Sequence, residues 1–150
     1  MRKYLVRDWM TPDPISISPK ATLPEAHRIM RDSKIRRLLV VDKGKVVGIV
    51  TKGDVREAGP SDATSLSVFE LNYLLAQLTI DKVMTRNPVT ITSDATIFDA
   101  AQLMLEHKIG GLPVVDQGQL VGILTESDIF REMVQQEAQE AQESNAAEMV

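Results

Sequence analysis

The sequence predicts an α/β fold of the α+β kind: two copies of a strand-helix-strand-strand-helix unit, packed with pseudo-two-fold symmetry around a shared cleft and joined by an inter-repeat helix. Three observations predict it. The 150-residue chain matches itself at a constant offset of 74 positions, without a gap, from Met10 to beyond Asp54. Within each copy the apolar pattern changes from short β-prone runs to helical spacing and back. A three-stranded sheet with two helices buries too little surface to stand alone, so the two copies are expected to pack on one another and open a cleft where they meet.

The offset places Met10-Thr11 on Met84-Thr85, Pro14 on Pro88, Ala21-Thr22 on Ala95-Thr96, Val40-Val41-Asp42 on Val114-Val115-Asp116, Gly48 on Gly122, Thr51 on Thr125 and Asp54 on Asp128. Roughly 20 of 47 aligned positions are identical, and several of the others, such as Ile15 on Val89, Ile29 on Leu103 and Val50 on Leu124, exchange one apolar residue for another.

Each unit opens on a short strand after a proline, Pro14-Ile15-Ser16-Ile17 and Pro88-Val89-Thr90-Ile91. Thr22 with Glu25, and Thr96 with Asp99, have the hydroxyl-to-acid spacing that caps a helix. Ala26, Ile29 and Met30, matched by Ala100, Leu103 and Met104, share one face of that helix. Two apolar runs follow at 38–41 and 46–50, and again at 112–115 and 120–124, joined by turns in which Gly44 and Gly118 supply a positive φ. Thr51-Lys52-Gly53-Asp54 and Thr125-Glu126-Ser127-Asp128 then start a second helix. Residues 65–78, with Leu66, Phe69, Leu71, Tyr73, Leu74, Leu75 and Leu78, read as a helix too apolar for one buried stripe, so a homodimer is expected. The division is 1–57 for the first repeat, 58–79 for the linker helix, 80–133 for the second repeat and 134–150 for a helical or frayed tail.

Composition narrows the function. A net charge of −4 argues against a general nucleic-acid binder, which needs a basic face to displace counterions from phosphate. No run approaches the roughly 20 apolar residues of a membrane span, the N-terminus has no signal-like apolar stretch, and there is no cysteine, so a cytoplasmic protein is expected. There is no nucleophile with a base, no metal-ligand cluster and no phosphate-binding Gly-x-x-x-x-Gly-Lys loop, so no catalytic or metal site is assigned and the chain is not expected to be an enzyme. His27 and His107 are unmatched between copies and read as surface residues; Trp9, Met10 and Met84 read as packing residues.

The order Met-Thr…Pro, Thr-x-x-acidic-Ala, paired apolar strands around Asp-x-Gly, and Gly-h-h-Thr-x-x-Asp, with h apolar, closely resembles the cystathionine-β-synthase (CBS) repeat, and two in tandem resemble a Bateman module. With its inter-repeat helix the chain is similar to stand-alone bacterial CBS pairs, including the acetoin-utilisation-like group. The resemblance implies a regulatory module that senses an adenosine-containing ligand (AMP, ADP, ATP or S-adenosylmethionine) between the repeats and modulates a partner protein or its own assembly. It requires no cofactor. By the same resemblance Asp54 and Asp128 hold the ribose; a carboxylate accepts both hydroxyls at once. Thr51, Thr125 and Ser127 lie at helix starts, whose free N–H groups suit a phosphate. Arg36 and Arg37 occupy the place where nucleotide-binding relatives often carry His-Arg. The adenine is expected between apolar walls, Ile15, Ile17 and Ile35 in one copy or Val89, Ile91 and Ile109 in the other.

The copies differ where this matters, because Gly110-Gly111 stands in the place of Arg36-Arg37. Phosphate-bearing ligands are therefore expected to favour the first copy, while Gly110 allows close approach of a base in the second. Neighbours entering a strand face opposite ways, so one arginine of the pair is expected at the ligand. The plainer reading of Thr51…Asp54 and Thr125…Asp128 is a capping box and nothing more. The alternative function is a dimerising scaffold whose clefts stay empty.

Overall fold

The computed structural model describes residues 4–60 and 65–148, and the chain divides into two compact units. One comprises Met1–Asp13, Val89–Gln117 and Val121–Val150; the other comprises Pro14–Pro88 and Gly118–Leu120. These boundaries cut across the 74-residue repeat, for a reason visible in the hydrogen bonding.

In the second of these units, β2 (Ser16–Ile17) runs parallel to β3 (Arg37–Asp42), which pairs antiparallel with β4 (Lys45–Thr51). Helix α2 (Leu23–Ser33) makes the parallel crossover, with Pro24 tolerated in its first turn and Leu23, Ala26 and Met30 buried. The β3–β4 turn has positive φ at both Lys43 (52°) and Gly44 (81°), the geometry that matches the twist of a two-residue hairpin. A fourth strand, β5 (Thr85–Arg86), lies on the free side of β4, pairing Thr85 with Ile49 and Arg86 with Gly48. This strand comes from the leader of the second repeat. The leader is clipped in place by backbone bonds from Ile80 N–H to the Ala21 carbonyl (2.8 Å) and from Asp81 N–H to that of Pro19 (2.9 Å). Its Ile80 and Met84 complete a core with Ile17, Leu38, Val40 and Val50.

The other unit repeats the scheme with the partners exchanged. Strand β1 (Thr11–Pro12), from the leader of the first repeat, pairs antiparallel with β7 (Gln119–Thr125), which flanks β6 (Gly111–Asp116). Val6 N–H bonds the Ala95 carbonyl (2.8 Å) and Ile97 N–H that of Tyr4 (2.8 Å). The short α1 (Val6–Trp9) buries Val6 and Trp9 against Ile97 and Ala100 of α5 (Ile97–His107) and Leu112, Val114 and Leu124 of the sheet. The expected opening strand is reduced here to one parallel bridge between Ile91 and Val114. Ser93 clamps Asp116 through its N–H (2.9 Å) and hydroxyl (2.5 Å), and these bonds, with the charge of Arg7, hold the Asp116 carboxyl below the ordinary aspartate value of 3.8.

One glycine in each copy makes the leader strand possible. A methyl group on Gly48 would lie 2.9 Å from the Thr85 carbonyl oxygen and collide with the Met84 thioether; on Gly122 it would lie 2.9 Å from the Thr11 carbonyl oxygen and 2.6 Å from Met10 Sδ. The glycine of each Gly-h-h-Thr motif is thus the floor on which a Met-Thr strand rests.

The remaining helices are α3 (Lys52–Ala58), α4 (Val68–Gln77) and α6 (Glu126–Glu148). The linker helix is shorter than the run 65–78 suggests and buries no residue fully. Residues 61 and 62, in the turn-rich stretch after Gly59-Pro60, lie outside the described residues. Among the described residues no helix is long and apolar enough to cross a membrane.

Candidate ligand site

The β3–β4 pairing builds the first candidate site. Register sets Arg37 opposite Thr51, and Lys52 N–H bonds the Arg36 carbonyl (2.8 Å), which fastens the residues entering β3 to the start of α3. Thr51 caps that helix: its Oγ1 accepts from Asp54 N–H (3.1 Å), and Asp54 Oδ2 accepts from Thr51 N–H (2.9 Å). The plain capping box therefore exists, but it engages one carboxylate oxygen. Asp54 is half-buried, and its Oδ1 has no hydrogen-bond partner among the described residues.

Beside this turn lies a cavity of about 380 Å³ lined by Arg36, Arg37, Thr51, Lys52, Gly53 and Arg56. Both members of the arginine pair line it, because Arg36 precedes the strand that begins at Arg37 and is not bound by strand alternation. Four cationic side chains with a hydroxyl and no carboxylate in the wall form an anion-attracting concavity on a chain of net charge −4. Arginine presents a planar fork of donors suited to phosphate oxygens.

The matching turn of the second repeat has the same skeleton and different chemistry. Glu126 N–H bonds the Gly110 carbonyl (3.0 Å), as Lys52 bonds Arg36, but no guanidinium stands at Gly110 or Gly111. Asp128 is 5% exposed and engages both oxygens. Its Oδ2 accepts from Thr125 N–H (2.9 Å) and Thr125 Oγ1 (3.1 Å); its Oδ1 accepts from Thr11 Oγ1 (3.2 Å) and Arg131 Nη1 (3.2 Å). Thr125 is half-buried and Ser127 exposed.

The apolar residues divide by depth. Ile17 and Ile91 are core side chains, each 7% exposed; Ile35, Val89 and Ile109 are half-buried against the same cores. Ile15, at 45% exposure, is the open one. His27 and His107 are exposed, and among the described residues no group of three or more His, Asp or Glu side chains could hold a metal. Sequence reasoning passed over Lys52 and Arg56 in the cavity and Arg131 at Asp128. The last was available from the offset, which sets Arg131 on Glu57 and so gives the two acids neighbours of opposite charge.

The CBS domain family matches residues 6–61 and 80–135. A CBS domain-containing protein of Dictyostelium discoideum is 35% identical over 130 residues, covering 85% of this chain and 90% of its own. The structure of CBSX2, a CBS-pair protein of Arabidopsis thaliana, in complex with AMP superposes with a TM-score of 0.73 at 30% identity, covering 90% of this chain and 99% of that one. The CBS domain pair of protein MJ0100, in complex with 5′-methylthioadenosine and S-adenosyl-L-methionine, gives a TM-score of 0.72 at 33% identity over 88% of this chain and 97% of its own. Some curated relatives are much longer: the chain spans 22% of the inosine-5′-monophosphate dehydrogenase of Korarchaeum cryptofilum, at 35% identity over 119 residues. Two domain matches over most of the sequence, joined to two strand-helix-strand-strand-helix units, establish that this chain is a CBS-domain pair, a Bateman module of the CBS family.

Proposed function

We propose that the chain is a regulatory module that binds an adenosine-containing ligand at the Arg36, Arg37, Thr51 and Asp54 surface and passes its occupancy to a partner protein or to its own assembly. The observation that carries this reading is the arginine-lined cavity at the helix turn that ends on Asp54, a half-buried carboxylate with one oxygen unengaged among the described residues. A phosphorylated nucleoside has the complementary parts. Its phosphate suits the guanidinium groups, and its ribose hydroxyls donate to Asp54. Ile15, exposed, and Ile35, half-buried, are the apolar side chains offered to the base in this reading. The adenosine compounds held by CBSX2 and by the MJ0100 pair support the ligand class, with AMP, ADP, ATP and S-adenosylmethionine as the candidates. Signalling further requires that the ligand prefer one of two states of the module.

Thermal melts with that panel test the reading. A ligand at ~100 times its dissociation constant stabilises the folded state by about 2.7 kcal/mol, a shift of several degrees for a chain of this size. A panel that leaves the midpoint unmoved contradicts it.

A second reading, a dimerising scaffold, is favoured by one observation. Helix α4 leaves Val68 71%, Phe69 87% and Tyr73 67% exposed, more apolar surface than an isolated linker helix has reason to carry. The two readings are compatible if the homodimer is what the ligand modulates.

A further inference from the structure

We infer that Arg131 and Thr11 act as a built-in occupant of the Asp128 carboxylate, so that the module takes one adenosine-class ligand strongly, at Asp54, and a second at least tenfold more weakly. The inference rests on the reading of Asp54 as a ribose acceptor.

An ionised carboxylate offers about four lone-pair sites. Asp128 has four donors on it: Thr125 N–H, the Thr125 hydroxyl, the Thr11 hydroxyl and an Arg131 guanidinium N–H. Asp54 has one, Thr51 N–H. The difference comes from two places. At the position matching Arg131 the first repeat has Glu57, whose charge repels Asp54 where Arg131 attracts Asp128. The threonine matching Thr11 is Thr85, set on β5 against Ile49 as Thr11 is set on β1 against Ile123, yet no hydrogen bond joins Thr85 to Asp54.

A ribose arriving at Asp128 must displace the Thr11 hydroxyl and the Arg131 guanidinium before its own hydroxyls are accepted. Arg131 is 60% exposed, so it can swing into solvent, and the occupant is displaceable. Losing one ion pair that is exposed on its arginine side and one hydroxyl–carboxylate hydrogen bond, both partly replaced by the incoming ribose hydroxyls, weakens ligand affinity by about tenfold, or about 1.4 kcal/mol. Arg131 is thus a positioning residue that sets which repeat is loaded first. The absence of guanidinium groups at Gly110 and Gly111 discriminates separately against phosphate, so the probe must lack one.

Calorimetric titration of the full chain with adenosine tests this. The wild type is expected to show one strong site and one at least tenfold weaker. Thr11→Val with Arg131→Ala is expected to strengthen the weak site about tenfold and leave the strong one unchanged. Glu57→Arg, which installs the guanidinium half of that occupant at Asp54, is expected to weaken the strong site by the same smaller factor that Arg131→Ala alone gives at the weak one. Should the double variant fail to fold, Arg131→Ala alone, at an exposed helix position, is expected to move the weak site the same way by a smaller factor. Two equal wild-type sites, or affinities that ignore these substitutions while Asp54→Asn removes the strong site, would overturn the inference and leave the adenosine reading standing. Strong adenosine binding that survives Asp54→Asn would remove the reading itself, and the inference with it.

Discussion

Gly122→Ala is the substitution that most directly probes how the leader strand is held. Gly122 is buried on β7 opposite Pro12. The added methyl would meet Met10 Sδ at 2.6 Å, Met10 Cγ at 3.1 Å and the Thr11 carbonyl oxygen at 2.9 Å. The thioether is flexible and can retreat, but the carbonyl belongs to a two-residue strand whose position is set by the β7 ladder, so β1 itself must move. Overpacking of this kind costs about 1–3 kcal/mol. Urea unfolding followed by fluorescence is a clean assay, because the single tryptophan, Trp9, is buried one residue before Met10 in the same compact unit. Gly118→Ala is the control. Nothing lies within 4 Å of its added methyl, and its cost, about 1–2 kcal/mol, comes from holding a side chain at φ 78°. Adding Met10→Ala should relieve part of the Gly122→Ala loss, since it removes two of the three close neighbours, and should relieve none of the Gly118→Ala loss. A Gly122→Ala protein with the wild-type midpoint would refute the view that this glycine is the floor of the leader strand.

The remaining expectations concern acid and assembly. The Asp116 carboxyl is held below its ordinary value by Ser93 and Arg7, so its contribution to stability is complete above the unfolded value near 3.8 and is lost as pH falls through the lower folded value. Ser93→Ala should therefore flatten the acid limb of a Trp9-monitored stability profile below about pH 4; an unchanged limb would show that Asp116 is not the group responsible. Replacing Phe69 and Tyr73 by serine should weaken self-association in sedimentation velocity without lowering the melting temperature, since neither side chain is buried. Equal dimerisation of variant and wild type would exclude α4 as the contact.

Much of the fold was legible because it is local. The hydroxyl-to-acid spacings of Thr51…Asp54, Thr96…Asp99 and Thr125…Asp128 became capping bonds, and Gly44 and Gly118 took the positive φ that their turns demand. The leader exchange was not legible. Periodicity shows which residues are apolar, but it carries nothing about a partner more than a hundred residues away, and β1 and β5 are only two residues long. Met10 and Met84 are packing residues, as their type suggests, but their seats on Gly122 and Gly48 depend on the long-range pairing. For the candidate site, Arg36 and Arg37 were visible as an asymmetry between the copies. Lys52 and Arg56 were hidden among ordinary helix-start residues, and they joined the cavity only because strand register folds the β3 entry back onto α3.

The central claim, that the arginine-lined surface beside Asp54 takes a phosphorylated adenosine ligand, is tested most directly by titrating AMP and adenosine in parallel into the wild type and into Arg36→Ala with Arg37→Ala. Losing bidentate phosphate contacts, each charge-assisted bond contributing about 1.5–3 kcal/mol, should lower AMP affinity at least tenfold and leave adenosine affinity nearly unchanged. AMP binding that is equally strong in both proteins would contradict the account.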